Sequence, residues 1–235
     1  MADGTRTLLI GDGPLADGLH DGLVDRGHVV AQVVPVRADG WSGTGTGIEA
    51  GAGTDISTGI GTGVGLIGRP DLVVHVPPIP ANPVPLVDQS TQQWVEACEV
   101  PMAEAFAVAR ASRPHLSDRA RLVWVVPTAA MGGAAGFVGS AAASEGIRAL
   151  AKSAARQWGS DGLTTAVLAV APELAYPPEA AAGISASTSL TGPALGRPGD
   201  AYGDVSPLLD LLADPAARFV TGATLVVDGG VWMAP

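Results

Sequence analysis

Short apolar runs and helical apolar stripes alternate along most of this chain. The apolar runs predict buried strands, and they lie at residues 6–10, 28–36, 71–76, 121–126, 164–171 and 224–227. Between them, apolar residues recur every three or four positions, which predicts helices at residues 15–27, 88–112, 138–158 and 204–213. Strands that alternate with helices favour a doubly wound parallel sheet with right-handed crossovers. We therefore expect residues 1–235 to form a single α/β domain.

Residues 40–68 interrupt this alternation. From Trp41 onward they read WSGTGTGIEAGAGTDISTGIGTGVGLIG, in which glycine alternates with threonine, serine and small apolar residues. Glycine weakens both helices and strands, because ordering its backbone costs more entropy than for other residues. We expect a Gly/Thr-rich irregular insert here and favour a solvated loop over a functional lid.

Proline also marks two places in the predicted elements. Pro101 falls inside the helix predicted at residues 88–112, where a missing N–H should kink or restart the helix. Pro77 and Pro78 follow the strand at residues 71–76 and predict an extended loop.

Charge and composition exclude several classes of partner. The formal net charge is −10, whereas nucleic acids and anionic membranes bind basic patches. Cys98 is the only cysteine, so an internal disulfide cannot form and a reducing compartment is favoured. The chain starts without a signal-peptide pattern and has no long uncharged apolar stretch. We expect a cytoplasmic protein that binds neither nucleic acid nor membrane.

The carboxyl-terminal sequence has a recognisable pattern. Residues 219–230 read FVTGATLVVDGG, which resembles the closing signature of the short-chain dehydrogenase/reductase family. The runs GRPGD at 196–200, TQQW at 91–94 and DLVV at 71–74 are similar to other parts of that family. The resemblance covers nearly the whole chain except residues 40–68. It implies a Rossmann-like sheet with a nicotinamide cofactor along its carboxyl edge, which agrees with the strand and helix pattern.

The cofactor-binding residues that this resemblance implies are only partly present. Gly11 and Gly13 remain in the first strand-to-helix turn, but Leu15 and Asp17 stand where further glycines are expected. A glycine-rich turn lets the backbone approach a pyrophosphate. After the second strand, Arg37 is a weak candidate for a ribose phosphate.

The cofactor-lining stretch of the family also differs here. Its Asn-Asn-Ala-Gly sequence matches residues 75–78, His75-Val76-Pro77-Pro78, and proline rings fill space that a glycine leaves open. The residues therefore favour no bound cofactor, with NAD(P) as the alternative.

The family's catalytic tyrosine and lysine have no counterparts at the expected positions. Lys152 is the only lysine, and Arg148 stands four residues before it. Alignment through the helix at 138–158 puts Ser140 at the tyrosine position and Ser144 at the lysine position. A serine hydroxyl is far too weak an acid to replace an activated phenol.

Two further family positions are altered. Thr128 falls near the catalytic serine and keeps a hydroxyl, whereas Pro101 stands for the asparagine that holds a proton-relay water. Tyr176 and Tyr202 are the only tyrosines, and both follow Lys152, so a shifted alignment does not restore the motif. Loss of a positioned acid or base costs roughly 10²–10⁴ in rate.

Histidine offers one other candidate in the expected cleft. His75 ends a central strand, where ligands bind in open α/β sheets, although a structural histidine is the more common case. The four histidines have no metal-ligand spacing, so we expect no metal site. A serine hydrolase would need a nucleophile elbow, which the sequence lacks.

Three functions remain open from the sequence. The favoured hypothesis is a redox-inactive family homologue that acts as a structural or regulatory subunit. It would associate with itself or with a catalytically complete paralogue through the helices at 88–112 and 138–158, because the family dimerises through these helices. The alternatives are a repurposed cleft that performs a non-redox step with Thr128, Ser140 and His75, and an atypical NAD(P)-dependent oxidoreductase.

Overall fold

The computed structural model describes residues 4–35, 48–49, 55–188 and 192–233, and for residues 48–49 the backbone alone. Within these ranges, seven parallel strands form one sheet in the order β3-β2-β1-β4-β5-β6-β7. The strands are β1 (Arg6–Ile10), β2 (Val29–Val33), β3 (Ile48–Glu49), β4 (Leu72–His75), β5 (Arg121–Pro127), β6 (Thr164–Val170) and β7 (Ala223–Val227). The predicted doubly wound parallel sheet of one α/β domain is confirmed.

Helices cover both faces of this sheet. They are α1 (Gly13–Asp25), α2 (Ile56–Ile67), α3 (Thr91–Trp94), α4 (Val100–Ser112), α5 (Ala129–Gly132), α6 (Val138–Trp158), α7 (Pro172–Ala175), α8 (Pro178–Thr188) and α9 (Ser206–Ala213). Among the described residues, none of these helices is long and apolar enough to cross a membrane. Strand order reverses between β1 and β4, and ligands of such sheets bind beside the carboxyl ends of the strands at this point.

Strand pleating divides the core into two layers. Along β5, Trp124 and Val126 pack with Ile147 of α6 on one face of the sheet. Val123 and Val125 face the opposite layer, which includes α1 and α9. The alternation follows from the two-residue period of a strand, and it explains why the buried strands read as continuous apolar runs.

The prediction of an irregular insert is wrong over residues 56–67, where α2 forms. Asp55 caps this helix and accepts hydrogen bonds from Ser57 N at 3.0 Å and Thr58 N at 3.1 Å. Ile60 and Ile67 are buried against the sheet, so an apolar stripe at helical spacing offsets the entropic cost of the glycines. Residues 40–47 and 50–54 of the predicted insert lie outside the described residues.

Pro101 follows a change in helical winding, which is the form that the predicted kink or restart takes. α3 is followed by a π-helical turn at Val95–Glu99, and α4 begins at Val100 with Pro101 in its first turn. The backbone is helical at Glu99 and Val100, and Val100 N donates to Val95 O within the π turn. The helix therefore widens ahead of the proline and does not stop there. α4 and α6 then pack on the same face of the sheet.

Candidate functional site

A cleft of about 780 Å³ lies at the carboxyl ends of four strands of the sheet. Its walls come from the turn after β1, the proline-rich loop after β4, the ends of β5 and β6, the α3–α4 region and α7. The lining residues are Asp12, Gly13, Pro14, Leu15, Val76, Pro77, Pro78, Ile79, Pro80, Gln92, Val95, Glu96, Val100, Glu104, Val125, Val126, Pro127, Val170, Leu174 and Ala175. The volume is in the usual range for a small-molecule or cofactor site.

The turn between β1 and α1 brings a helix start to this cleft. Gly11 has a φ of 143°, and a Cβ there would lie 2.8 Å from both Cβ and the carbonyl oxygen of Val76. Gly13 has a φ of 81° and lines the cleft. Both glycines are therefore required by the backbone, Gly11 for its close approach to Val76 and Gly13 for the left-handed conformation at the helix start.

This helix start fits the phosphate groups of a nicotinamide dinucleotide. Asp12 is the N-cap residue of α1 and makes no side-chain capping bond. The amides at a helix start carry partial positive charge and bind anions. The carboxylate of Asp12 also lines the cleft and opposes a phosphate there, so the fit rests on the backbone.

Other predicted cofactor residues have mixed outcomes. Pro77 and Pro78 line the cleft at the positions where the resemblance placed the cofactor. Arg37, the candidate for a ribose phosphate, lies outside the residues that the structure describes. Leu15 lines the cleft, and Asp17 lies further along α1.

The three predicted hydroxyl residues are buried and bonded to main-chain carbonyls. Thr128 donates to Val170 O at 3.1 Å, Ser140 to Phe137 O at 3.1 Å and Ser144 to Ser140 O at 2.8 Å. Of these three, Ser140 reaches a cavity, a pocket of about 170 Å³ that shares Pro80 and Glu96 with the larger cleft. The structure does not bring the three hydroxyls together in the larger cleft.

Tyr176 lies beside Ser140, although it comes later in the chain. The ring of Tyr176 stands edge-on to that of Phe137, three residues before Ser140, with the centroids 5.4 Å apart. Burial raises the pKa of the Tyr176 phenol to about 12, and the neighbouring Ser140 side chain opposes this rise. A phenol whose pKa is raised is a weaker acid than an ordinary tyrosine.

The prediction that His75 lines the cleft is wrong. As the last residue of β4, His75 alternates with Val74 and faces the α4 side of the sheet, where it is fully buried. Its Nε2 lies 3.0 Å from Oε1 of Glu104 on α4. Glu104 is 7% exposed and lines the cleft, so His75 reaches the cleft only through this carboxylate.

Pro101 occupies the buried face of α4 and does not line the cleft. Glu104 is on the same face, one turn later. The sequence reasoning missed Glu104, although the signal was present: this carboxylate interrupts a buried stripe formed by Pro101, Ala105 and Val108. A single acid on an apolar helix face needs a partner or a function.

Comparison with known proteins gives a consistent result. A model of the family described as enoyl-(acyl carrier protein) reductase matches residues 53–232. The chain is 27% identical over 177 residues to a 12α-hydroxysteroid dehydrogenase of a Clostridium species. That match covers 72% of this chain and 66% of the relative, so it spans slightly less than two thirds of the relative's length.

Solved structures share the whole fold. A short-chain dehydrogenase/reductase from Serratia marcescens superposes with a TM-score of 0.79 at 19% identity, covering 98% of this chain and 99% of the other. A blue fluorescent protein from a metagenomic library, in complex with NADPH, gives the same TM-score, identity and coverage.

These comparisons contradict the hypothesis of a redox-inactive subunit. The family model and the curated relative bear the names of reductase and dehydrogenase activities, and one structural neighbour holds NADPH. Altered residues at the family's catalytic positions favoured a loss of function, whereas the curated relative is named a dehydrogenase. The expectation of no nicotinamide cofactor loses its support for the same reason.

Proposed function

Because the chain belongs to the short-chain dehydrogenase/reductase family, we propose that it is an NAD(P)-dependent oxidoreductase with an atypical set of active-site residues. The observation that carries this proposal is the cleft of about 780 Å³ at the carboxyl ends of the strands, with the start of α1 in its wall. It is the place where ligands bind in doubly wound sheets.

The chain's own residues would hold the cofactor mainly through the main chain and apolar contact. The amides of Gly13 and Leu15 are at the start of α1, where phosphate oxygens are favoured; Pro14 between them has no N–H to donate. Val76 and Val125 supply apolar walls that exclude water. A bound nicotinamide supplies or accepts the hydride of the reaction.

The atypical feature of this active site is its lack of an activated phenol. Ser140 and Ser144 stand in place of the family's tyrosine and lysine, and both donate to main-chain carbonyls. Tyr176 is near Ser140, but its pKa is raised by burial. The proposed oxidoreductase therefore differs from its family in the proton-transfer part of the site.

A cofactor titration tests this proposal. NADH and NADPH are added separately, and binding is followed by nicotinamide fluorescence and by calorimetry; saturable binding of at least one is expected. Ala175→Trp fills the cleft beside α7 and should weaken binding by about tenfold or more. Ala216→Trp, at an exposed position after α9, is the matched control and should leave binding unchanged. No saturable binding up to millimolar cofactor would refute the proposal.

For its partner, we propose a second copy of this chain, bound through α4 and α6. Three large apolar side chains of α4 support this: Val100, Met102 and Phe106 are 40%, 39% and 55% exposed. Light scattering after gel filtration should give a dimer or larger oligomer for the wild type and a smaller species for Phe106→Asp. Leu211→Asp, on α9 at 58% exposure, is the control that should not change the mass. A monomeric wild type would contradict this interface.

A further inference from the structure

Three arginines meet at the amino-terminal edge of the sheet, opposite the cleft. Arg121 is the first residue of β5, Arg119 lies in the turn before it, and Arg218 lies in the turn before β7. Arg218 Nη2 donates to the main-chain oxygen of Arg119 at 2.7 Å. Arg121 Nη1 donates to Val220 O at 2.8 Å, two residues after Arg218. We call Arg119, Arg121 and Arg218 the arginine cluster.

The arginine cluster is bonded to main-chain carbonyls and not to acids. Arg121 is 2% exposed, and its two bonds to the segment before β7 measure 2.8 and 2.9 Å. Arg218 also donates to carbonyl oxygens, and its Nε is buried without a hydrogen-bond partner among the described residues. Arg119 is exposed, and its side chain makes no hydrogen bond or ion pair within the described part of the chain.

Four carboxylates that neighbour the arginine cluster in the fold are bonded elsewhere. Asp118 and Asp161 each pair with an arginine outside the cluster, at 3.5 and 2.6 Å. Asp214 caps the short helical turn that follows it and accepts from a main-chain amide at 2.7 Å. Asp71 likewise accepts from a main-chain amide at 3.2 Å. Over the residues that the structure describes, no acid therefore pairs with the cluster.

Like charges repel one another within the arginine cluster. Burial, and after it the charge of Arg218, lowers the pKa of Arg121 to about 10. Burial and the charge of Arg119 lower the pKa of Arg218. Arginine stays protonated at neutral pH, and a buried charge needs hydrogen bonds or an opposite charge to offset its lost hydration. The described residues supply carbonyl oxygens to the cluster but no negative charge, so a counter-ion would stabilise it.

We propose that the arginine cluster binds a phosphate-type oxyanion, held by Arg119 and Arg218, while Arg121 adds its charge from the buried side. A guanidinium presents paired N–H groups that match two oxygens of a phosphate. Nε of Arg218 gains an acceptor when its guanidinium turns toward the anion. Inorganic phosphate and the phosphate group of a larger molecule share this chemistry. The cluster and the cleft lie at opposite edges of the sheet, so this site does not depend on the proposed cofactor site.

Calorimetry with phosphate and pyrophosphate tests this site on the full chain, with chloride keeping the ionic strength constant. Saturable binding is expected, tighter for the more highly charged pyrophosphate. Arg119→Gln should weaken it by about tenfold or more, since hydrogen bonds between charged groups are the stronger ones. Arg110→Gln, at an exposed position of α4, is the matched control and should keep the wild-type affinity. Phosphate that binds at the start of α1 instead would bind Arg119→Gln as tightly as the wild type, which would overturn the assignment.

Urea unfolding in chloride buffer gives a second readout that does not need a ligand. Arg119→Gln relieves the repulsion and should raise the midpoint by about 0.2 M, although it makes the net charge of −10 more negative. Arg110→Gln makes the same change in net charge and should not raise the midpoint. Arg119→Glu supplies a counter-ion, so it should raise the midpoint further and abolish phosphate binding. A lower midpoint for Arg119→Gln than for Arg110→Gln would refute the crowding of positive charge.

An acidic peptide distinguishes a small oxyanion from a protein partner. Phe219 is fully exposed next to Arg218, so an acidic segment of a protein would find an apolar anchor here as well as positive charge. The carboxylates of Asp118 and Asp161 are exposed beside the cluster, and they repel an extended acidic chain more than a single phosphate. A hexaglutamate peptide should therefore bind at least tenfold more weakly than pyrophosphate. Tighter binding of the peptide would overturn the small oxyanion as the ligand.

Discussion

Two glycines of α2 should respond in opposite directions to the same substitution. A Cβ on Gly61 would meet no atoms within 4 Å, whereas a Cβ on Gly63 would lie 2.6 Å from Cδ1 of Leu8. Leu8 is fully buried in the core layer beneath α2, so it cannot move aside without displacing other core residues. The pair therefore separates backbone entropy from packing within one helix.

The expected magnitudes follow from these two environments. Gly61→Ala should stabilise the protein by about 0.5–1 kcal/mol, because it removes backbone entropy from the unfolded chain. Gly63→Ala gains the same term but overpacks the core at a cost of about 1–3 kcal/mol, so the net destabilisation should be up to about 2.5 kcal/mol. Gly65→Ala, whose Cβ also meets open space, should repeat the result of Gly61→Ala.

Urea unfolding monitored by circular dichroism measures these differences as shifts in midpoint at an unchanged slope. In thermal unfolding, each 1 kcal/mol should move Tm by about 2–4 °C for a chain of this size. Stabilisation by Gly63→Ala equal to that by Gly61→Ala would refute the close packing of α2 on β1. Destabilisation by Gly61→Ala would refute the helix itself.

Three other substitutions test the site and the core. Asp12→Asn removes a negative charge beside the start of α1 and should tighten NADH or NADPH binding by about fivefold, or about 1 kcal/mol, in the fluorescence titration; weaker binding would mean that phosphates lie elsewhere. Burial raises the pKa of Tyr176 to about 12 in the folded protein, so its contribution to stability is complete below the unfolded pKa near 10 and is lost as pH rises to 12. Between pH 9.5 and about 11.5 the free energy of unfolding in urea should therefore fall less for Tyr176→Phe than for the wild type. Thr7→Val removes the 2.8 Å hydrogen bond to Nδ1 of His28, and a buried unpaired nitrogen should cost about 1–3 kcal/mol in urea unfolding; an unchanged midpoint would show that the bond contributes nothing.

The sheet could be predicted from the sequence because its strands are buried on both faces. Residues 122–126 and 166–171 form continuous apolar runs, which a parallel sheet covered by helices requires. α2 was missed because its glycines obscured a stripe of apolar residues, Ile56, Ile60 and Ile67. The glycine content of residues 56–67 predicts a loop, whereas the spacing of the isoleucines predicts the helix that forms.

The site was harder to predict, because its important neighbours are far apart in sequence. The sequence placed His75 at the end of a central strand but could not show that pleating turns it toward α4 and onto Glu104. It also dismissed Tyr176 because of its order in the chain, whereas the fold brings it to Ser140. Side-chain direction and contacts between distant elements are set by tertiary packing, which a motif does not encode.

The π-helical turn at Val95–Glu99 determines which carboxylates can act on the same ligand. Glu96 and Glu104 are eight positions apart, and a continuous α-helix would separate them by about 80° around its axis, since each residue turns about 100°. A π turn takes up one residue more than an α turn, which reduces the separation to about 20°. If the same residues wound as a regular α-helix, Glu96 would therefore rotate away from Glu104, and the cavity would lose part of its charge. If one residue of the turn were deleted and the rest wound as a regular α-helix, both carboxylates would again lie on one face, because the wider π turn accommodates one additional residue.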